Sequence, residues 1–412
     1  MKRTQAAQKQ DTTKEGVLYM AVELSASNWK IAFGDGSSNP RFVDVPAWDT
    51  VGVSREIEKS RIKYHLSETT RVMSVQEAGR DGFSVHRFQE SLGIESLVVD
   101  SSSIEVPRQS RRRKTDRLDA QSLLRMLIRY AGGERQVFRV LHVPSVEEEE
   151  SRRPHRELGR LKKERTSLTN RMRSTLAAQG IRWKGKIGPM FFDQLSQVRL
   201  FDGSGLPPGV LEELRRGSER LTVISVQVAE IEGMRRKRLR TSEDVSSEKA
   251  RRLMSLKGIG ETTASVLAHE FFWRKFANRR EVGSAAGLVA SPYQSGEVSR
   301  ARGISKAGNR RVRTLMIELA WGWQRWQPGS ALSRWFQERF GHGSGRVRRT
   351  GVVALARKLL IALWRYVEEG VIPEGAVLMP SRSLQNVFFT VPPPPVEGER
   401  RKKLIRKEKR ER

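Results

Sequence analysis

The sequence predicts an α/β domain, then a region of long amphipathic helices, then a mostly α-helical domain. Three observations carry this. Short apolar runs alternate with helical stretches over roughly the first hundred residues, the pattern of an α/β sheet. Leucines recur near heptad spacing among Lys, Arg and Glu from residue 151 to about 248. After residue 249 come apolar, Trp-rich helical runs separated by glycine-containing turns.

In chain order, residues 1–15 are polar and expected to be disordered. Val17 to Leu24 is a strand that closes on the acid Glu23. Trp29 to Phe33 is a second strand, followed by a Gly-Asp-Gly-Ser-Ser turn, and Arg41 to Val45 is a third. Arg71 to Glu77 is another apolar strand, again ending at an acid. Val85 to Leu92 fits a helix and Ser96 to Asp100 a further strand. In α/β sheets the functional edge lies at the carboxyl ends of the strands, where Glu23 and Glu77 both fall.

Ser101 to Arg113 is a polar connector ending in Arg111, Arg112 and Arg113. Such a run is either a solvated face or a grip on phosphates. It leads into Lys114-Thr115-Asp116-Arg117-Leu118-Asp119-Ala120, before the helical run Leu123, Leu124, Met126, Leu127 and Ile128. A spacing of three puts Asp116 and Asp119 on one face at the start of a helix. Taken alone, they are acids that cap the helix or suit its positive end. Two earlier acids at strand ends, in a strongly basic chain, give them a second meaning.

Beyond Glu147 to Glu150, Leu158, Leu161, Leu168, Met172 and Leu176 form one apolar stripe. Leu211, Leu214, Leu221, Ile224, Val228 and Ile231 form another. These helices pair either as a hairpin within one chain or as a seam between two. From residue 249, Leu256-Lys257-Gly258-Ile259-Gly260 has the glycine–apolar–glycine turn of a helix-hairpin-helix. That turn offers backbone N–H groups to a DNA phosphate, or is simply a tight interhelical turn. Ser291, Ser295 and Ser305 precede or flank the basic residues Arg300, Arg302, Lys306, Arg310 and Arg311. Leu315 to Trp326 and Val352 to Val367 are apolar helices, their tryptophans being core residues before they are platforms for bases. Pro392 to Arg412 is a proline run and a charged tail.

The 412 residues carry 77 Lys plus Arg against 47 Asp plus Glu, a net charge of +30. This surplus points to a polyanion, nucleic acid first. A membrane partner is not expected, there being neither a long apolar span nor a lipidation signal. A signal peptide is likewise not expected, which implies a cytoplasmic, nucleoid-associated protein. With no cysteine, disulfides and thiolate zinc sites are excluded. The six histidines (His65, His86, His142, His155, His269 and His342) show no ligand spacing. Any metal must then be held by carboxylates, which suits Mg²⁺ or Mn²⁺. Glu23, Glu77, Asp116 and Asp119, converging, would repel one another unless divalent cations stood between them. Two such ions suit phosphodiester chemistry, as in an RNase H-like or RuvC-like nuclease.

The chain resembles the DEDD-type insertion-sequence transposases, relatives of the Piv/MooV DNA invertases. The matching pieces are Ala21-Val22-Glu23-Leu24-Ser25, Gln76-Glu77-Ala78-Gly79, the stretch from Lys114 to Ala120, Leu256 to Gly260, Ala286-Gly287-Leu288, Ser295-Gly296 and Gly303 to Asn309. They run in order from about residue 17 to 370. The resemblance implies a RuvC-like domain, a coiled coil and a C-terminal transposase domain. Their expected spans are 16–145, 146–248 and 249–380, with a basic tail over 381–412. It implies Glu23, Glu77, Asp116 and Asp119 as Mg²⁺-holding catalytic acids. It also implies a serine nucleophile that becomes joined to DNA, placed at Ser295 with Ser291 and Ser305 as alternatives. Nucleic-acid contacts are expected from Arg111, Arg112, Arg113, Lys257, Gly258, Gly260, Arg302, Lys306, Arg310 and Arg311. Donor and target duplex DNA, a structured bridge RNA and a dimer or tetramer of the chain are the implied partners. The first acid is usually aspartate in this family, whereas here it is Glu23. The expected activity is RNA-guided strand exchange through a phosphoserine. The alternatives are a metal-dependent nuclease or junction resolvase acting by hydrolysis, and a nucleic-acid-binding relative without activity.

Overall fold

The computed structural model describes residues 16–79, 83–104, 115–188, 191–195, 197–295 and 298–379, with backbone alone over 292–295 and 298–302. Both tails and Arg111, Arg112 and Arg113 lie outside the described residues. The chain divides into two compact units, Met1–Pro144 and Ser145–Arg412.

The first unit runs β1 (Val17–Glu23), β2 (Asn28–Gly34), β3 (Arg41–Pro46), α1 (Thr50–Lys63), β4 (Arg71–Glu77), α2 (Ser84–Ser91), β5 (Glu95–Val99) and α3 (Asp116–Ala131). The sheet order is β3-β2-β1-β4-β5. The first three strands form an antiparallel meander, while β4 and β5 run parallel to β1. Parallel neighbours need crossovers, and α1 and α2 supply them. Alternation along the strands sorts side chains onto two buried faces. Leu18, Met20, Val22, Ile31 and Phe33 pack with Val53 and Ile57 of α1 and Val85 of α2. Ala21, Ala32, Met73, Val75 and Val99 pack with Ala120, Leu123, Leu124 and Leu127 of α3. This mixed sheet with helices on both faces is consistent with an RNase H/RuvC-like core. Helix α1 has no counterpart among the expected elements. It opens on Asp49, whose carboxylate accepts from the Gly52 backbone N–H, and closes on Tyr64, whose hydroxyl donates to the Phe33 carbonyl at 3.0 Å.

The second unit contains α4 (Val146–Ala178), α5 (Phe191–Leu195), α6 (Pro208–Thr241), α7 (Val245–Met254), α8 (Glu261–Glu270), α9 (Arg279–Ala285), β6 (Ala290–Ser295), β7 (Val298–Ile304), α10 (Arg310–Trp326), α11 (Ala331–Phe336) and α12 (Gly345–Glu369). Ser145 and Glu148 form a capping box at the start of α4, which gives its first-turn acids a structural reason. The stripes of α4 and α6 meet inside one chain. Leu158 packs with Val228 and Ile231, and Leu168, Met172 and Leu176 pack with Leu214 and Leu221. Lys162 and Glu232 tie the two helices at 2.7 Å. Of the two alternatives, the in-chain hairpin is the one formed; the residues assigned to an inter-chain seam are filled internally. Leu239 and the helices from α7 to α12 enclose a separate core with Phe271, Phe272, Trp323 and Phe336 at its centre. The unit is not helical throughout: β6 and β7 form an antiparallel two-stranded sheet.

Candidate active site and nucleic-acid interface

Glu23 and Glu77 are the last residues of β1 and β4. In the parallel register Val22 faces Gln76, so the next step sets Glu23 beside Glu77. By alternation each lies on the side of Ala21, Met73 and Val75, the face covered by α3. Helix α3 runs back along β1. Leu124 lies over Gly34 and Ile128 near Gly36 and Tyr19, and Gly34 pairs with Tyr19. From Leu124 to Asp116 the helix rises ~12 Å, while from Tyr19 to Glu23 the strand advances ~13 Å. The first turn of α3 therefore comes level with the strand ends. Arg117 holds that turn against the sheet, its guanidinium 4.6 Å from the centre of the Phe42 ring.

The N-cap residue of α3 is neither of the paired aspartates. Thr115 is the N-cap residue, and its hydroxyl accepts from the Leu118 N–H. Asp116 is exposed and Asp119 half-buried, one turn apart on the helix behind it. All four acids thus belong to one edge of the first unit. As placed, however, their side chains do not close into a cage: among the described residues, no group of three or more His, Asp or Glu stands where it could hold a metal ion.

A residue not anticipated from sequence stands in the same row. Lys30 is the cross-strand neighbour of Glu23 and of Asp44, and its ammonium lies 2.5 Å from the Asp44 carboxylate. Across the sheet edge the row reads Asp44, Lys30, Glu23, Glu77, one cation among three acids. Its signal was present in the alternation of Trp29-Lys30-Ile31, where a charge interrupts an apolar strand.

In the second unit, Lys257, Gly258 and Gly260 form the turn between α7 and α8, with Lys257 and Gly258 exposed. Gly258 is needed there: its φ is +93°, and a Cβ would come within 2.7 Å of the Trp326 Cβ. Gly260 is the N-cap of α8 and offers no side chain to it. The first-turn acid Glu261 accepts from Arg235 Nε at 2.7 Å. Residues 250–334 match the family described as Transposase IS116/IS110/IS902. Over 376 residues the chain is 39% identical to a putative transposase, y4rJ, of Sinorhizobium fredii, covering 88% of this chain and 95% of that protein.

The chain belongs to this family.

Other relatives agree. The transposase for insertion sequence element IS1328 of Yersinia enterocolitica is 29% identical over 231 residues, 53% of this chain and 63% of that protein. A probable family 20 transposase of Pseudomonas aeruginosa is 30% identical over 235 residues, 56% and 67% of the two chains. The family match spans the turn between α7 and α8 and all three candidate serines.

Lys306 and Arg310 are exposed. Lys306 adopts φ +57°, and Arg313 braces its carbonyl at 2.9 Å. Arg311 is drawn into the fold. It donates to the His155 carbonyl and lies 3.6 Å from Glu270, which Arg156 grips through two nitrogens at 3.0 and 3.1 Å. Beside them the rings of His155 and His269 stack with centres 4.9 Å apart. Burial first, then the neighbouring His269, hold His155 down to about 3. Burial first, then Arg238, hold His269 down to about 4.

Strand exchange through a phosphoserine requires correction. Ser295 closes β6 opposite Val298 of β7. Ser291 lies in β6, and Ser305 follows β7, its N–H on the Val289 carbonyl at 2.8 Å. A serine hydroxyl attacks phosphorus only with help, here expected from a cluster of metal-holding acids. No such cluster exists among the described residues. Both routes call on metal-holding acids; the covalent route calls in addition on an activated serine, so hydrolysis asks less of the chain. The hydrolytic alternative is the better supported.

Proposed function

We propose that this transposase cleaves DNA phosphodiesters by metal-dependent hydrolysis at the acid edge of its first unit. What carries the proposal is the register that sets Glu23 beside Glu77 on the face whose covering helix begins with Asp116 and Asp119. In this reading they are the four acids of the DEDD pattern.

The donor set suits Mg²⁺ or Mn²⁺ in kind, being carboxylate oxygen throughout. It does not suit in number as placed, since no three of the acids close together. Glu23, Glu77, Asp116 and Asp119 are the residues that would hold the ion, and a bound ion would supply activation of water and relief of charge on the leaving oxygen. The chain's own contribution is positional. Parallel pairing fixes two carboxylates at neighbouring strand ends. Thr115 caps α3, whose first turn carries Asp116 and Asp119. Lys30 offsets part of the mutual repulsion of the acids. The net charge of +30 supports duplex DNA as substrate and a structured RNA as a second polyanionic partner.

The test is incubation of the full chain with supercoiled and branched DNA, with and without Mg²⁺, followed by denaturing electrophoresis. The expected result is Mg²⁺-dependent cleavage to protein-free ends, retained in Ser295→Ala and lost in Asp116→Asn/Asp119→Asn. A DNA–protein adduct that survives denaturation, or cleavage by the double aspartate variant, would overturn the proposal.

A further inference from the structure

A cavity of about 1090 Å³ lies within the second unit, between α9, α10, α12 and the base of the β6–β7 sheet. That is at the upper limit of the ~300–1,000 Å³ usual for small-ligand sites. Of its eighteen lining residues eight are Arg or Lys and none is acidic. Its floor is apolar, from Leu288, Ile317, Val353 and Ile361.

Cations gathered without counter-ions repel one another, so the arrangement stores a demand for negative charge. Among the described residues, Lys306, Arg313, Arg346, Arg349, Arg357 and Lys358 form no ion pair, although this chain pairs many of its other arginines. Arg357 Nε is buried and has no hydrogen-bond partner. Arg313 is fixed in place by the carbonyls of Ala286 and Lys306. The Lys358 ammonium sits 4.6 Å over the Trp335 ring.

We propose that this cavity receives a short single-stranded nucleic-acid segment, with phosphates on the cationic rim and unpaired bases on the apolar floor. The inference rests on the chain acting on nucleic acid. Duplex DNA keeps its bases paired and stacked and presents phosphates outward, so it would use the rim and leave the floor empty. A single strand satisfies both, since every base has an apolar face and base stacking tolerates any sequence. An acidic peptide would match the rim alone, and an anionic lipid is the remaining occupant of mixed character. A single-strand pocket of this kind suits a strand opened at the cleavage site.

The experiment is fluorescence anisotropy on the full chain in EDTA, with a labelled single-stranded dodecamer and its duplex, over a range of salt. Thr350→Trp sets an indole at the exposed edge of the cavity, narrowing it, and keeps every cation. It is expected to weaken single-strand binding by about ten-fold and leave duplex binding unchanged. Arg346→Ala/Arg349→Ala is expected to lower the salt slope for the single strand by about 1.4, from ~0.7 per phosphate contact. This second variant changes exposed residues only and serves should Thr350→Trp fail to fold. For Thr350→Trp, equal losses for single strand and duplex, or no loss, overturn the proposal, as does an unchanged single-strand salt slope in the rim variant. So does displacement of the strand by polyglutamate or by anionic phospholipid vesicles whose own binding falls in Thr350→Trp. EDTA keeps cleavage out of the measurement. No selective loss in Thr350→Trp with intact wild-type cleavage sinks only the cavity; the selective loss without any wild-type cleavage sinks only the nuclease.

Discussion

Glu77→Gln is expected to make the metal-free protein more stable while abolishing cleavage. Neighbouring strands lie ~4.8 Å apart, and Glu23 and Glu77 share one face at adjacent ends of β1 and β4. Two carboxylates ~5 Å apart repel by roughly 1–3 kcal/mol at an effective dielectric between ~80 and ~20. Both residues are half-buried, and Lys30 on the far side of Glu23 offsets part of the repulsion. The net gain on neutralising Glu77 is therefore about 1 kcal/mol. Glutamine preserves the shape, so packing is unchanged. Hydrogen exchange followed by mass spectrometry reads the effect locally, in the peptides spanning β1 and β4. In metal-free buffer these peptides should exchange about five-fold more slowly in Glu77→Gln than in wild type, if exchange follows opening free energy. Added Mg²⁺ should slow exchange in wild type and do little in the variant. Faster exchange in metal-free Glu77→Gln, or equal responses to Mg²⁺, would refute the pairing of these acids.

Three further outcomes follow from the second unit. Leu221→Ala should cost about 2–4 kcal/mol in urea unfolding, because Leu221 is only 4% exposed between α4 and α6; its mass by light scattering should equal that of wild type, and a drop in mass would restore the inter-chain seam. Gly258→Ala should cost about 2–3 kcal/mol by the same measurement, from the positive φ and the approach to Trp326, and a cost under ~1 kcal/mol would show that the turn relaxes. The buried pair His155 and His269 has pKa values lowered to about 3 and about 4. The unfolded chain then binds protons first as pH falls below ~6.5, so stability is full above that pH and declines towards pH 4, by about 2–3 kcal/mol for His269. Denaturant titrations of wild type and His269→Phe at pH 7 and 4.5 check this, and an equal loss in both would remove the histidine from the account.

Four strands of the first unit, β1, β2, β4 and β5, were legible because most of their residues are buried and write a short apolar run. The acids at their ends were legible because charge stops such a run. Helix α1 was not, since it buries little beyond Gly52, Val53, Ile57 and Ser60, too thin a stripe to mark a period. The β6–β7 sheet was missed for a related reason. Ser291-Pro292-Tyr293-Gln294 and Ser299-Arg300-Ala301-Arg302 lack apolar alternation, and only Gly296, between the two strands in sequence, hinted at a hairpin. The heptad stripes showed two pairing helices but not which chain the partner came from, because Leu158 and Val228 have the same chemistry in either case. Register was beyond reach as well: that Glu23 meets both Glu77 and Lys30 follows from pairing partners, which composition does not encode.

The division of labour in the first turn of α3 ties sequence to chemistry most directly. An acid near a helix start ordinarily lowers the energy of that helix by answering its open N–H groups. In α3 the Thr115 hydroxyl does that work for Leu118, and the apolar anchors begin at Ala120. Asp116 and Asp119 stand between cap and anchor, within the reach of the dipole. Placing two acids beside two others costs stability, a cost that a purely structural turn has no reason to carry. A basic chain tolerates it because polyanionic substrate and divalent cation both answer it. Asp116→Asn should on this account leave α3 intact, with unchanged far-ultraviolet circular dichroism, and still remove cleavage. Loss of helix in that variant would return the aspartate to a structural role.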